Sequence, residues 1–137
     1  MQPPPHAGLR HLALNVHHLE EMKSFYVNLL GFAVEWEPDP DNVYLSSGID
    51  NLALHRTATP SAASPAPAGP SPLDHFGLIV RRAEDVDAWA AFLESHGVAI
   101  AAQPRTHRDG ARSCYFRDPD GNSIQIIHHP PISDRLQ

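Results

Sequence analysis

Two stretches of the chain alternate strictly between aliphatic side chains and small or polar ones. Residues 9–16 alternate in this way around His11, and residues 73–80 repeat the pattern around His75. Alternation with a period of two predicts a strand that buries one face only. The aliphatic residues take the buried face, so we expect both histidines on the face that points away from the core.

Each predicted strand is followed by a stretch with helical periodicity. Apolar residues recur at intervals of three and four in 19–30 and again in 84–96. Gly31 and Gly97 come directly after these stretches, and glycine is the residue best suited to the left-handed conformation that ends a helix. We therefore predict one helix in each half of the chain, covering the apolar face of the strand.

Three further strand-like segments follow each predicted helix. They are 32–36, 42–45 and 51–55 in the first half, and 98–102, 113–116 and 123–128 in the second. The chain thus repeats one β-α-β-β-β unit. We predict an α+β fold in which two tandem βαβββ modules, about 8–56 and 73–130, form a cupped mixed β-sheet of half-barrels with the helices outside. A Pro- and Ala-rich linker, 57–72, joins them, and 1–137 is interpreted as a single domain.

Composition narrows the class of protein. The 137 residues carry a formal net charge of −6, no basic run and no apolar run long enough to span a bilayer, so we expect neither nucleic acid nor a membrane as partner. A single cysteine excludes an internal disulfide and agrees with a reducing compartment, and we predict a cytoplasmic protein. Cys114 alternates away from Ser113 and Tyr115, which predicts a core thiol.

The repeat places candidate functional residues at equivalent positions. His11 matches His75 at an offset of 64, and the last strands match at an offset of 72. In those last strands the flanking aliphatic residues take the core face. Ala53, His55 and Gln125 are therefore expected on the face that carries the two histidines.

The duplicated plan and two segments, Phe25–Phe32 and Phe116–Gln125, resemble the vicinal oxygen chelate superfamily. This superfamily includes glyoxalase I, fosfomycin-resistance proteins, methylmalonyl-CoA epimerase, extradiol dioxygenases and bleomycin-binding proteins. Its metal ligands come from the first and last strand of each module. The resemblance therefore implies a divalent metal ion (Fe, Mn, Ni, Co or Zn) on His11, His75 and Gln125, with Ala53 at the fourth position.

Two positions depart from the pattern of that superfamily. Its enzymes usually have glutamate where Gln125 stands, and a neutral amide oxygen holds a cation less firmly than a carboxylate does. Ala53 offers no ligand, but His55 lies two residues further along the same face, roughly 6.6 Å away, and is a candidate substitute. The alternative is that Gln125 satisfies a buried backbone group and that the histidines are ordinary hydrogen-bonded strand residues.

A basic segment, 105–112, precedes a strand whose Ser113 and Tyr115 should face the cleft. The predicted substrate-binding residues are His107, Arg108, Arg112 and Ser113, which would hold an anionic group such as a carboxylate. Tyr115 and His55 are the predicted catalytic residues, as hydrogen-bond donor and proton carrier. The alternative is a solvated hairpin.

Two functions from different classes fit these residues. The first is a metalloenzyme of the glyoxalase or dioxygenase type (lyase, isomerase, transferase or dioxygenase), with the cation chelating an oxygen-rich small-molecule substrate in the cleft between the modules. No cleft glutamate is available as a base, which favours oxygenation or nucleophile addition. The second is a protein that binds and sequesters an aromatic or cationic small molecule without catalysis. The exposed sheet edges further predict a homodimer.

Overall fold

The computed structural model describes residues 2–3, 5, 9–63 and 71–136, which belong to two compact units, residues 1–66 and 67–137. Each unit holds one βαβββ module. Residues 57–63 and 71–72 of the predicted linker carry no helix or strand and are exposed, and residues 64–70 lie outside the described part. No helix in the described ranges is long and apolar enough to cross a membrane.

The first unit is a four-stranded mixed sheet with a helix. Its elements are β1 (His11–Val16), α1 (Leu19–Ser24) continued by a π-helical turn (Phe25–Leu29), β2 (Ala33–Asp39), β3 (Asn42–Ser46) and β4 (Asn51–Arg56). The strand order is β1-β4-β3-β2. The first and last strands, β1 and β4, pair in parallel, and the other pairs are antiparallel.

The second unit repeats this arrangement. Its elements are β5 (Phe76–Ile79), α2 (Ala83–Ser95), β6 (Ile100–Thr106), β7 (Arg112–Arg117), β8 (Ser123–His128) and a short α3 (Pro130–Ser133). The strand order is β5-β8-β7-β6, again with the first and last strands parallel. The predicted α+β class and the tandem βαβββ plan are confirmed.

One face of each sheet is buried, as the alternation predicts. In β1, Leu14 and Val16 are buried while His11, Ala13 and Asn15 are exposed. The core of the first unit also contains the fully buried Met22, Tyr26, Val43, Leu45 and Leu54, and that of the second contains Val86, Leu93, Cys114, Phe116, Ile124 and Ile126. Burying such side chains contributes roughly 1.5–3 kcal/mol each, and this burial fixes which face remains open.

The edge strands are longer than the sequence predicts. The predicted strands 32–36 and 98–102 stop before a proline, yet β2 continues through Pro38 and β6 through Pro104. Both are edge strands, where a residue without an N–H leaves no partner unsatisfied. Register shifts in β2 and β6 accompany the extension. Arg105 therefore belongs to a strand and not to the predicted loop.

The first predicted helix also differs in form. It is α-helical only to Ser24 and then widens into the π turn, where the N–H of Leu30 bonds the carbonyl of Phe25 at 3.2 Å. Gly31 follows with φ +80°, the left-handed conformation that its position predicts. The widened turn keeps Tyr26 fully buried against the ring of Phe32, 5.5 Å between centroids.

An ion pair joins helix α2 to strand β7. Two of the three guanidinium nitrogens of Arg112 donate to the carboxylate oxygens of Asp87, at 2.6 and 2.8 Å. This contact lowers the pKa of Asp87, chiefly through the hydrogen bond from Arg112. A lowered native pKa means that the stabilising effect is complete at neutral pH and is lost as the pH falls through that value.

We expect Asp87→Asn to lower the midpoint of urea unfolding slightly at pH 7 and to have no effect at a pH where Asp87 is protonated. The effect is small because the carboxylate is half-exposed. Glu94→Gln, on the same helix, is the control. An equal loss at both pH values would contradict the prediction.

The single cysteine lies in the core of the second unit. Cys114 is fully buried, and burial raises the pKa of its thiol, so little reactive thiolate is present. We expect the native thiol to resist alkylation at pH 8 and to react on unfolding. A Cys114→Ser variant that carries Ala99→Cys, at an exposed position, should react at once in the native state. Rapid labelling of native Cys114 would be inconsistent with this packing.

Candidate active site

His11 opens strand β1 on the exposed face of the first sheet. The parallel pairing of β1 with β4 sets it opposite Asn51. The ring nitrogen Nδ1 lies 2.8 Å from Asn51 Oδ1, within hydrogen-bond distance. The other ring nitrogen, Nε2, is the one that the Asn51 contact leaves for a ligand.

Ala53 stands at the fourth ligand position that the resemblance implies, and its side chain cannot bind a metal ion. Ala53 lies opposite Ala13 and Tyr44 on the neighbouring strands and is fully buried. His55, two residues further along, is half-buried and its Nδ1 lies 2.6 Å from Asn42 Oδ1. Its ring meets that of Tyr44 edge to face, 5.9 Å between centroids.

An aromatic pair stands beside His55, and the sequence did not identify it. Trp36 stacks on Tyr44 with 5.1 Å between ring centroids and an interplanar angle of 28°. The indole remains 59% exposed. Trp36 and Tyr44 are direct partners in the pairing of β2 with β3, between two register shifts that no pattern in the sequence indicates. Such a pair offers a planar apolar surface to an aromatic ligand.

His75 leads into strand β5 of the second unit. Its Nδ1 lies 2.6 Å from Asp74 Oδ1. A carboxylate only accepts hydrogen bonds, so Nδ1 carries the proton and Nε2 keeps a lone pair. The ring meets Tyr115 edge to face at 5.3 Å. A hydrogen bond of this kind orients a histidine for metal binding.

Gln125 lies on β8 opposite Gly77 of β5 and Tyr115 of β7. A Cβ atom at position 77 would lie 3.5 Å from Gln125 Oε1 and 3.2 Å from a methyl carbon of Ile127. Glycine therefore leaves room beside the amide oxygen. Within the second unit the fold brings His75, Tyr115 and Gln125 to neighbouring positions.

His107 and Ser113 are joined by a hydrogen bond, His107 Nε2 to Ser113 Oγ at 2.9 Å. A guanidinium nitrogen of Arg105 donates to His107 Nδ1 at 3.0 Å. Arginine has no acceptor, so Nδ1 must accept, and Nε2–H donates its hydrogen bond to Ser113 Oγ. The imidazole thus cannot take a proton from Ser113, and this trio does not form a nucleophilic serine site.

The structure separates the other two predicted substrate-binding residues. Arg112 turns toward helix α2, where hydrogen bonding to Asp87 raises the pKa of its guanidinium. Ser113 and Tyr115 alternate to the opposite face of β7. Arg108 lies exposed in the turn between β6 and β7. Because neighbouring side chains of a strand lie on opposite faces, the adjacency of Arg112 and Ser113 in the sequence already indicates that they are separated.

The predicted metal ligands are two imidazole nitrogens and one amide oxygen, His11, His75 and Gln125. This set suits borderline divalent cations such as Fe(II), Mn, Co, Ni or Zn, although without the charge of a carboxylate. In the described part of the chain, no three His, Cys, Asp or Glu side chains are grouped so that they could hold a metal ion. The free Nε2 of His75 and the space beside the Gln125 oxygen fit a ligand role.

Known proteins resemble this chain along most of its length. It is 30% identical over 122 residues to catechol-2,3-dioxygenase of Bacillus subtilis (strain 168); the match covers 88% of this chain and 41% of that relative, so the chain spans about two fifths of its length. Lactoylglutathione lyase from Agrobacterium tumefaciens has the same fold, with a TM-score of 0.75 at 22% identity over 94% of this chain and 98% of that one.

A second solved structure, a member of the glyoxalase/bleomycin resistance protein/dioxygenase superfamily from Sphaerobacter thermophilus DSM 20745, has a TM-score of 0.62 at 25% identity, covering 90% of this chain and 98% of that one. The family model of the Glyoxalase/Bleomycin resistance protein/Dioxygenase superfamily matches residues 8–126. This match confirms the resemblance drawn from the duplicated modules, and the chain belongs to that superfamily.

Proposed function

We propose that this protein is a metal-dependent enzyme of the glyoxalase and dioxygenase type, acting on a small molecule with two neighbouring oxygen atoms. The observation that carries the proposal is the arrangement in the second unit, where a carboxylate-backed His75 meets Tyr115 beside Gln125. A dioxygenase relative and a lyase with the same fold support the type of activity. Catechols are the first substrate class to test.

His11, His75 and Gln125 are the residues that we propose to hold a divalent cation. His11 is the first residue of β1, His75 immediately precedes β5, and Gln125 lies on the last strand of the second module. A bound cation of this kind acts as a Lewis acid toward substrate oxygens. The chain's own contribution is to orient the imidazoles through Asn51 and Asp74.

Proton transfer falls to residues outside the ligand set. Gln125 is neutral and cannot act as a base, unlike the glutamate usual at this position. The Tyr115 hydroxyl can donate a hydrogen bond to a substrate oxygen, and the His55 imidazole can carry a proton. A site without a carboxylate base suits substrates whose hydroxyl protons leave readily, which favours oxygenation of a catechol over formation of an enolate from a carbon acid.

The second candidate is a protein that binds an aromatic small molecule without catalysis. The stacked pair of Trp36 and Tyr44 favours it, because an indole exposed by 59% on an open sheet face offers a stacking surface. The lack of a carboxylate ligand is consistent with both candidates. The two candidates differ in whether their activity requires a bound metal ion.

We expect His75→Ala to weaken divalent-metal binding by roughly a hundredfold or more, since loss of a group behind a ligand already costs about 10–100-fold. Gln125→Glu should strengthen it by about tenfold, because a charge-assisted contact exceeds a neutral one by roughly 1 kcal/mol or more. Calorimetric titration of chelator-treated, untagged protein with manganese, nickel and zinc measures both changes.

His96→Ala is the control, since His96 lies exposed at the end of α2 and is not one of the proposed ligands. His11→Ala should match His75→Ala if both rings hold one ion. Unchanged affinity in His75→Ala and Gln125→Glu would refute this ligand set.

We expect the Fe(II)-loaded protein to consume oxygen in the presence of catechol, and the metal-free protein to consume none. If the chain only binds ligands, metal-free protein should instead show quenching of tryptophan fluorescence by the aromatic compound, lost in Trp36→Ala and kept in Trp89→Phe. Trp89 is the matched control because it is the other tryptophan of the chain. Metal-independent binding without turnover would favour the second candidate.

A further inference from the structure

Two histidines of the first unit are held in the same way, although they lie on different strands. His11 and His55 each place Nδ1 against the side-chain oxygen of an asparagine, Asn51 at 2.8 Å and Asn42 at 2.6 Å. Each asparagine in turn reaches a carboxylate. These two sets, His55–Asn42–Asp39 and His11–Asn51–Glu35, are called relays below.

An asparagine alone does not determine which ring nitrogen carries the proton. A carboxamide can present either its oxygen or its NH₂ group to an imidazole, and the two orientations require opposite tautomers. The acidic residue behind it removes this freedom. Since a carboxylate only accepts, the NH₂ group must face the acid and the oxygen must face the ring.

Asp39 is the carboxylate acceptor that fixes the orientation of the Asn42 side chain. Asn42 Nδ2–H donates to its two carboxylate oxygens at 2.9 and 3.0 Å. Asp39 also accepts the backbone N–H of Asp41 at 2.8 Å, so the turn between β2 and β3 holds the carboxylate in place. The oxygen of Asn42 is thereby directed at His55, and Nδ1 must donate.

In the second relay the hydrogen bonds run in the same direction, but the contact between asparagine and carboxylate is longer. Asn51 Nδ2–H donates to Glu35 Oε1 at 3.3 Å, a single contact from a strand position beside a register shift. His11 Nδ1 donates to the Asn51 oxygen in consequence. His107 shows the opposite case, because Arg105 behind it can only donate and so selects the proton on Nε2.

We propose that Asn42 with Asp39, and Asn51 with Glu35, are positioning residues that hold His55 and His11 with the proton on Nδ1 and the lone pair on Nε2. The tautomer follows from the hydrogen bonds of the first unit alone. Its use, for proton transfer by His55 and metal binding by His11, rests on the proposed function. Sequence spacing does not reveal the relays, since Asn42 and His55 meet only through the β3–β4 pairing.

The test is long-range ¹H–¹⁵N correlation spectroscopy of the metal-free, ¹⁵N-histidine-labelled protein, in which protonated and unprotonated ring nitrogens have distinct shifts. We expect the Nδ1–H pattern for His55 and His11, and also for His75, which contacts a carboxylate directly. His107 should show the Nε2–H pattern. Because no metal or substrate is present, the result does not depend on whether the proposed function is correct.

Asp39→Asn and Glu35→Gln are nearly isosteric and serve as controls for each other. Each replaces an obligate acceptor by an amide, which lets the asparagine rotate. Asp39→Asn should shift His55 to a mixture that includes the Nε2–H form and leave His11 unchanged, and Glu35→Gln should do the reverse. Asn42→Asp, which places a carboxylate directly on the ring, should restore the Nδ1–H form of His55 in the Asp39→Asn background.

An Nε2–H pattern for His55 in the unaltered protein would overturn the proposal, and so would unchanged tautomers in both acid-to-amide variants. If Asp39→Asn fails to fold, the spectrum of the unaltered protein decides by itself. A confirmed tautomer together with unchanged metal binding in His11→Ala would leave the relays established and count against the proposed metal site instead.

Discussion

The parallel pairing between the first and last strand of each module is the constraint on which the rest of the structure depends. It sets His11 beside Asn51, forty residues away in sequence, and sets Gly77 beside Gln125. Parallel strands need a long connection, and here the helix and two antiparallel strands supply it. The His11–Asn51 and Gly77–Gln125 neighbourhoods are thus assembled from the two ends of their modules.

Burial then decides which side chains are available for chemistry. Each helix packs on the aliphatic face, and a shift of one residue in β1 or β4 would turn His11 or His55 inward. The same alternation separates Arg112 from Ser113, so these two neighbouring residues of β7 make different contacts. Arg112 attaches α2 to the sheet, while Ser113 accepts a hydrogen bond from His107.

The sequence predicted the repeat, the helices and the faces of β1 and β7, because these depend on local alternation and on glycine conformations. It did not predict the length of β2 and β6, since a proline is tolerated only where a strand lies at an edge, and edges are a property of the sheet. The relays and the Trp36–Tyr44 stack were missed for a related reason. They depend on registers between strands, including bulges that shift the pairing by one position.

Ala53 has a consequence for any redesign of the metal site. Its methyl group is fully buried beside Tyr44 and Ala13. Exchange of this alanine for glutamate would bring a longer, charged side chain to a position that excludes water, and burying a charge without a partner costs several kcal/mol. A carboxylate at this position would therefore need a bound cation to pair with it, so Ala53→Glu would make the stability of the first module depend on metal.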